Sequence, residues 1–164
     1  MADDMLTSEE ALARLAETPR RIAALTADLT PAQTRTAPSA GEWSAVELLA
    51  HVRSCSDVWG GYIARILTED HPTIRVVNPT RYILQTDYPT LEWRSSFQAY
   101  LAQREELLSV LRPLSEAQWA RRATITGAGA PLEHTVQSYV SRLARHERAH
   151  VRQFQQIVAA VASA

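Results

Sequence analysis

The chain has 164 residues, a length typical of one domain with a core of its own. Hydrophobic residues make up 46% of it and the formal net charge is −1. This balance is ordinary for a globular protein, and it excludes a general electrostatic affinity for nucleic acid or for an anionic membrane.

The number of cysteines and the N-terminal sequence indicate the cellular compartment of the protein. Cys55 is the one cysteine, so no disulfide can form within the chain, which suits a reducing environment. Met1–Leu6 shows no basic stretch followed by an apolar run, so no signal peptide is predicted. The apolar runs are far shorter than the roughly 20 residues of a membrane span. We therefore expect a cytoplasmic protein.

The first predicted helix runs from about Ser8 to Asp28, where apolar residues recur at helical spacing. Pro19 lies inside it, and proline is tolerated mainly in the first turn of a helix, so we expect a break or kink near Thr18. Two short segments with a common pattern predict one-turn helices in the connections: Thr30-Pro-Ala-Gln and Ser115-Glu-Ala-Gln-Trp119.

The second predicted helix has the most clearly marked start in the chain. Ser44 and Glu47 have the spacing of a capping box, and Trp43 and Leu48 have the spacing of a hydrophobic staple. The helix is expected to run to about Thr68.

Two further long helices are predicted. The third covers about Thr90–Leu111, before Pro113, and the fourth begins near Pro131 or Leu132 and runs to about Val161.

The remaining connections are long. Residues 71–89 contain three prolines and should be partly extended, and residues 121–127 could form a short strand or an extended loop. Four long helices with such links predict an all-α fold: one four-helix bundle, residues 1–164, with long crossover connections.

His146 and His150 predict a divalent metal site. Residues four apart lie on one helix face about 6 Å apart, and each ring can place a nitrogen about 2.0–2.1 Å from one ion. Their face is largely apolar, so it should point to the core, where two uncompensated imidazoles would be costly. The other residues of this face are Tyr139, Leu143, Gln153 and Ile157.

The same segment also reads His-Glu-x-x-His, the pattern of zinc metalloproteases. Those enzymes need a further ligand, usually downstream, but none of the 14 residues after His150 is His, Asp, Glu or Cys. A protease is therefore not favoured. Glu147 could serve as a general base or as a solvated partner for Arg, and the second interpretation is preferred.

His51 lies in the second turn after Ser44, among mostly apolar neighbours. Alone, such a residue is more typical of a hydrogen-bonded core histidine than of a ligand. The need of the His146 and His150 pair for a third donor strengthens the ligand interpretation, and both interpretations remain open at this point. Three histidines with open positions have the layout of a reactive metal site.

Other side chains near these histidines have two interpretations each. Cys55, one turn after His51, could approach the metal or be a small buried residue. Gln153 could hydrogen-bond a ligand or lie at the core edge. Arg142 could anchor an anionic group or belong to a solvated Arg face. His134, about 18 Å along the same predicted helix, is too far from His146 to share its ion.

Two further groups are weaker candidates. His71 precedes a proline in a loop and is expected to be exposed. Four aromatic residues could line a pocket, although core packing is the more common role for such residues: Trp59, Tyr62, Trp93 and Trp119.

Together, Trp43-Ser-Ala-Val-Glu-Leu-Leu-Ala-His51 and His146-x-x-x-His150-x-x-Gln153 resemble the DinB-like superfamily of bacterial metal-binding four-helix bundles. The resemblance covers nearly the whole chain. It implies that His51, His146 and His150 bind a divalent ion, zinc or nickel, and that the protein is a homodimer.

Relatives in this superfamily include transferases that use a low-molecular-weight thiol such as bacillithiol, a mycothiol-dependent isomerase and proteins described as metal-dependent hydrolases. The resemblance therefore implies a metal-dependent thiol transferase or hydrolase acting on a small electrophile. The alternative is a non-catalytic dimeric stress-response or binding protein with a structural or vestigial metal.

Overall fold

Four long helices form the body of the protein in the computed structural model, which describes residues 5–163. In chain order the helices are α1 (Ser8–Thr26), α2 (Pro31–Thr34), α3 (Ala45–Thr68), α4 (Pro79–Tyr82), α5 (Trp93–Leu111), α6 (Glu116–Trp119) and α7 (Val136–Ala162). Helices α1 and α3 each pack against both α5 and α7, so α1 lies diagonally across the bundle from α3. The predicted bundle with crossover connections is confirmed.

The structure can be compared with the prediction about membrane spans, but with little of the prediction about a signal peptide. Among residues 5–163, none of the helices is both long enough and apolar enough to cross a bilayer. Most of the segment on which the signal-peptide prediction rests, residues 1–4, lies outside the described residues.

The predicted break near Thr18 is wrong, because α1 continues through Pro19. Proline cannot donate to the carbonyl of Leu15, four residues earlier. That carbonyl instead accepts a hydrogen bond of 3.2 Å from Nη1 of Arg104, on α5. A side chain from a neighbouring helix thus takes the place of the missing backbone donor.

Capping boxes mark the helix starts that the sequence signals most clearly. Ser44 and Glu47 form both bonds of the box at the start of α3, as predicted. The one-turn helices α2 and α6 carry the same reciprocal caps, at Thr30 and Ser115. The common pattern in these connections therefore reflects a common local structure.

A three-stranded sheet covers one end of the bundle, made of β1 (Thr73–Arg75), β2 (Arg122–Thr126) and β3 (Leu132–Thr135). Strand β2 pairs in parallel with β1 and antiparallel with β3. Of the two alternatives predicted for residues 121–127, a short strand or an extended loop, the structure has the strand. The predicted start of the last helix at Pro131 or Leu132 is wrong. The cap is formed by Thr135, since the preceding residues pair with β2.

The connection between α3 and α5 is partly extended, as predicted, because it contains β1. Apart from β1 it holds α4 and two 3-10 turns, Ile83–Gln85 and Tyr88–Thr90. The second turn occupies the predicted start of the third long helix, so α5 begins at Trp93.

The core consists of two apolar clusters separated by a polar layer. One cluster contains Leu15, Leu108 and Leu143, and the other contains Ile22, Tyr100 and Phe154. Each long helix contributes to both clusters and carries polar side chains between them. The buried or half-buried members of this layer are Thr18, His51, Ser54, Ser56, Arg104, His146, Glu147 and His150.

Candidate metal centre

Three imidazoles from two helices converge in this polar layer. Nε2 of His146, on α7, lies 3.2 Å from Nε2 of His51, on α3, and 3.0 Å from Nε2 of His150. Two nitrogens that bind one tetrahedral zinc at about 2.0–2.1 Å are about 3.3 Å apart. The spacing therefore matches that of ligands sharing one ion.

Aromatic residues hold two of these rings in place. The Trp43 ring lies 4.9 Å from that of His51, and the Trp59 ring packs edge-on against His146 at 4.9 Å. From the sequence, Trp43 was expected only to pack against Leu48 at the start of the helix. Its position directly before the cap of the helix that carries His51 is the signal that could have revealed this contact.

The site keeps its histidines neutral. Burial, with a smaller contribution from His150, lowers the pKa of His51 to about 4. Burial and the charges of His150, His51 and Arg142 lower the pKa of His146 to about 3. Burial also lowers the pKa of His150. Near pH 7 each ring therefore has one nitrogen lone pair available for a metal.

Gln153 selects the tautomer of His150. An amide oxygen only accepts, so Nδ1–H of His150 donates to Oε1 of Gln153, at 3.0 Å. In the neutral ring this leaves Nε2 unprotonated and facing His146, as a metal ligand must be.

A fourth donor lies within the cluster. The donor atoms of His51, Cys55 and His146 all lie within 4.8 Å of one another, and His150 contacts this group through His146. The sulfur of Cys55 is 3.6 Å from Nε2 of His51 and 3.7 Å from Nε2 of His146. Burial, with the nearby Glu147 charge, raises the pKa of its thiol to about 12, so without a metal the thiol is neutral.

A cavity of about 790 Å³ opens onto three of these donors, His51, Cys55 and His146. This volume lies within the range of about 300–1,000 Å³ that small-molecule sites occupy. The rest of the wall comes from residues outside the cluster: Met5, Trp59, Pro79, His134, Ser138, Ser141, Arg142 and Arg145.

His134 and Arg142 line this pocket from different elements. His134 belongs to strand β3 and not to the last helix, so the predicted separation along one helix is wrong, although Nδ1 of His134 contacts Ser138 and no metal donor. Arg142 is exposed, and its guanidinium lies 5.5 Å from the Trp59 ring.

Glu147 is not the solvated residue that the sequence suggested. It is 1% exposed, and its carboxylate binds both terminal nitrogens of Arg104, which is 3% exposed. Tyr100 also donates to it, at 3.5 Å. Arg104 was not among the residues predicted to be functional, although it shares one face of α5 with the buried residues Tyr100 and Leu108. The carboxylate thus has a structural partner for each oxygen.

The other aromatic candidates and His71 lie away from the cluster. Tyr62 and Trp119 are core residues, and Trp93 stacks on Phe97. His71 is exposed, as expected, beside Glu133 at 3.1 Å.

Solved structures with this fold include proteins linked to metal and thiol chemistry. One is YfiT from Bacillus subtilis, described as a "probable metal-dependent hydrolase with an unusual four-helix bundle topology" (17% identity, TM-score 0.77, 92% of this chain and 85% of that chain). Another is a mycothiol-dependent maleylpyruvate isomerase (16% identity, TM-score 0.70, 90% of this chain), of whose length the present chain covers 60%. TT2238, a four-helix bundle protein, matches with 20% identity and a TM-score of 0.59 over 92% of this chain and 99% of that chain.

Two sequence comparisons differ in outcome. A comparison with curated proteins finds no match to the chain. The family model of the DinB superfamily, however, matches residues 14–154, which is most of the chain. The chain therefore belongs to the DinB superfamily.

Proposed function

We propose that the protein is a metal-dependent enzyme in which His51, His146 and His150 hold a divalent ion, zinc or nickel. The observation that supports this most strongly is the convergence of three Nε2 atoms, at 3.0 and 3.2 Å, beside a cavity of about 790 Å³. An ion held there would supply Lewis acidity and would lower the pKa of a thiol or water that reaches it.

The surrounding residues suit a small substrate with an anionic group. Arg142 lies one helical turn before His146 and lines the cavity, so its guanidinium can bind a carboxylate of the substrate or of a low-molecular-weight thiol. Trp59 provides an apolar wall beside it. A reducing cytoplasm, which keeps such a thiol reduced, is the compartment that we propose.

Within this class, we favour transfer of a low-molecular-weight thiol, such as bacillithiol, to a small electrophile, or hydrolysis of a small molecule. The similarity to the mycothiol-dependent isomerase supports the first reaction and the similarity to YfiT supports the second. Glu147 is a poor choice of general base, because Arg104 occupies its carboxylate.

The test combines metal titration with activity. Metal-free wild-type protein should bind one divalent ion per chain, and the loaded protein should accelerate conjugation of bacillithiol to an electrophile or hydrolysis of a panel of esters and amides. His51→Ala and His150→Ala should lose both properties. His134→Ala is the matched control, because it removes an imidazole from the same cavity and should keep the ion. Wild-type protein that takes up no ion would refute the proposal.

One observation favours a second candidate, a non-catalytic binding protein whose metal is structural. His51 is only 8% exposed and Cys55 only 1%, so the cluster is partly closed to solvent. Chelation separates the candidates. A large fall in melting temperature without turnover in any assay favours the structural metal, and turnover that disappears on chelation and returns with the ion favours catalysis.

A further inference from the structure

We propose that Cys55 is a fourth ligand of this ion, so that one thiolate and three imidazoles hold it. The inference rests on the proposed metal site and adds to it a donor of different chemistry. A softer donor changes which ions the site prefers and how many positions remain for a substrate.

The proposal rests on the position of the Cys55 sulfur relative to two of the imidazole nitrogens. Sγ of Cys55 lies 3.6 Å from Nε2 of His51 and 3.7 Å from Nε2 of His146. In a tetrahedral zinc site with Zn–S of about 2.3 Å and Zn–N of about 2.05 Å, a sulfur and a nitrogen are about 3.6 Å apart. These two separations agree with ligation of one ion by Cys55, His51 and His146.

The local structure keeps the sulfur at that point. Cys55 follows His51 by one turn of α3, so both side chains lie on one helix face. The residue is 1% exposed, yet its side chain forms part of the cavity wall together with His51 and His146. A small buried residue that only filled space would not need its polar atom directed at two imidazole nitrogens.

Ligation by Cys55 requires no oxidant or reductant. The Sγ–H bond breaks, its proton leaves to solvent through the cavity, and the sulfur electron pair forms the bond to the ion. With Cys55 bound, four protein donors would hold the ion, so a substrate would have to enter as a further ligand or displace the thiolate. Cys55 would thereby set the accessibility of the ion in the resting enzyme.

Cobalt provides a direct test, because thiolate ligation to Co²⁺ gives a charge-transfer absorption in the near ultraviolet. Metal-free wild-type protein is titrated with Co²⁺, and both this absorption and the visible d–d bands are expected. Cys55→Ala should lose the charge-transfer absorption and keep the d–d bands, with circular dichroism confirming that it folds. Because Cys55 is the one cysteine, the assignment is unambiguous.

Two negative results of the cobalt titration have different meanings. Wild-type protein that shows d–d bands without charge transfer would overturn the role of Cys55 and leave the histidine site standing. Wild-type protein that binds no cobalt would overturn both.

Metal preference gives a second test. Cys55→Ser should reduce zinc affinity by a larger factor than manganese affinity, since thiolate favours the softer ion. An equal reduction for both metals would contradict thiolate ligation.

Discussion

We expect Gln153 to position His150 in the candidate metal centre, because its amide oxygen holds the proton of His150 on Nδ1. Removing such a partner typically reduces metal affinity by about 10–100-fold. We expect this loss for Gln153→Ala in a zinc competition titration. Gln156→Ala is the matched control, since Gln156 is an exposed glutamine on the same helix. Equal affinities for the two variants would show that the hydrogen bond does not matter.

The histidines also predict how stability depends on pH. In the folded, metal-free protein, burial lowers the pKa of His51 to about 4 and that of His146 to about 3. In the unfolded chain both titrate near about 6.5, so the unfolded state binds more protons as the pH falls below that value. The free energy of unfolding should therefore decrease from pH 7 to about pH 5.

Urea denaturation at several pH values measures this decrease, and the pH range above about 5 avoids most carboxylate titration. His146→Gln should show a smaller pH dependence than the wild type, whatever its absolute stability. A wild-type profile that is flat over this range would mean that these rings are not buried.

At the scale of residues, the sequence predicted which histidines come together but not all of their neighbours. The spacing of His146 and His150 predicted that these two lie together, and the resemblance to the DinB-like superfamily was needed to add His51 to them. The environment of Glu147 could not be predicted, since its burial depends on Arg104, 43 positions away in the chain. Long-range pairs of this kind leave no local pattern.

At the scale of elements, the contacts of one buried arginine join all four long helices, because Arg104 on α5 also donates to the hydroxyl of Ser56 on α3, at 3.3 Å. Arg104 on α5 binds Glu147 on α7 and the carbonyl of Leu15 on α1. Since Glu147 neighbours His146, this network helps to fix the rotation of α7 and hence the direction of its imidazoles.

Breaking the pair should be strongly destabilising. Arg104→Met leaves the Glu147 carboxylate buried without a counter-charge, and losses of about 3–5 kcal/mol in the free energy of unfolding are typical. The double variant Arg104→Met with Glu147→Leu should recover much of this loss. Urea denaturation measures both. A single variant as stable as the wild type would contradict the buried pair.

Helix starts were predictable where a cap and its partner are close in sequence, as at Ser44 and Glu47. Two of the errors in the helix predictions arose from tertiary contacts. Pro19 stays in α1 because a side chain from α5 reaches the free carbonyl. The segment before Thr135 is a strand because β2 lies beside it. Neither partner can be identified from the local sequence.

At the scale of the whole molecule, the polar layer between two apolar clusters organises the fold around the site. Each long helix passes through this layer, so the imidazoles, the thiol and the ion pair lie at similar depth in the bundle. This arrangement follows from the meeting of four helices, and no single helix reveals it.

The resemblance to the superfamily leads us to expect a homodimer. Sedimentation equilibrium at micromolar concentration should give twice the mass of one chain. The mass of a single chain across the concentration range would contradict this expectation, and it would leave the metal site unaffected because the four donors come from one chain.

The most direct measurement of the central claim is an anomalous difference map from crystals grown with zinc, with data collected on both sides of the zinc absorption edge. We predict one strong peak per chain at about 2.0–2.1 Å from Nε2 of each of His51, His146 and His150. A map with no peak at these atoms, or with zinc bound elsewhere, would contradict the account.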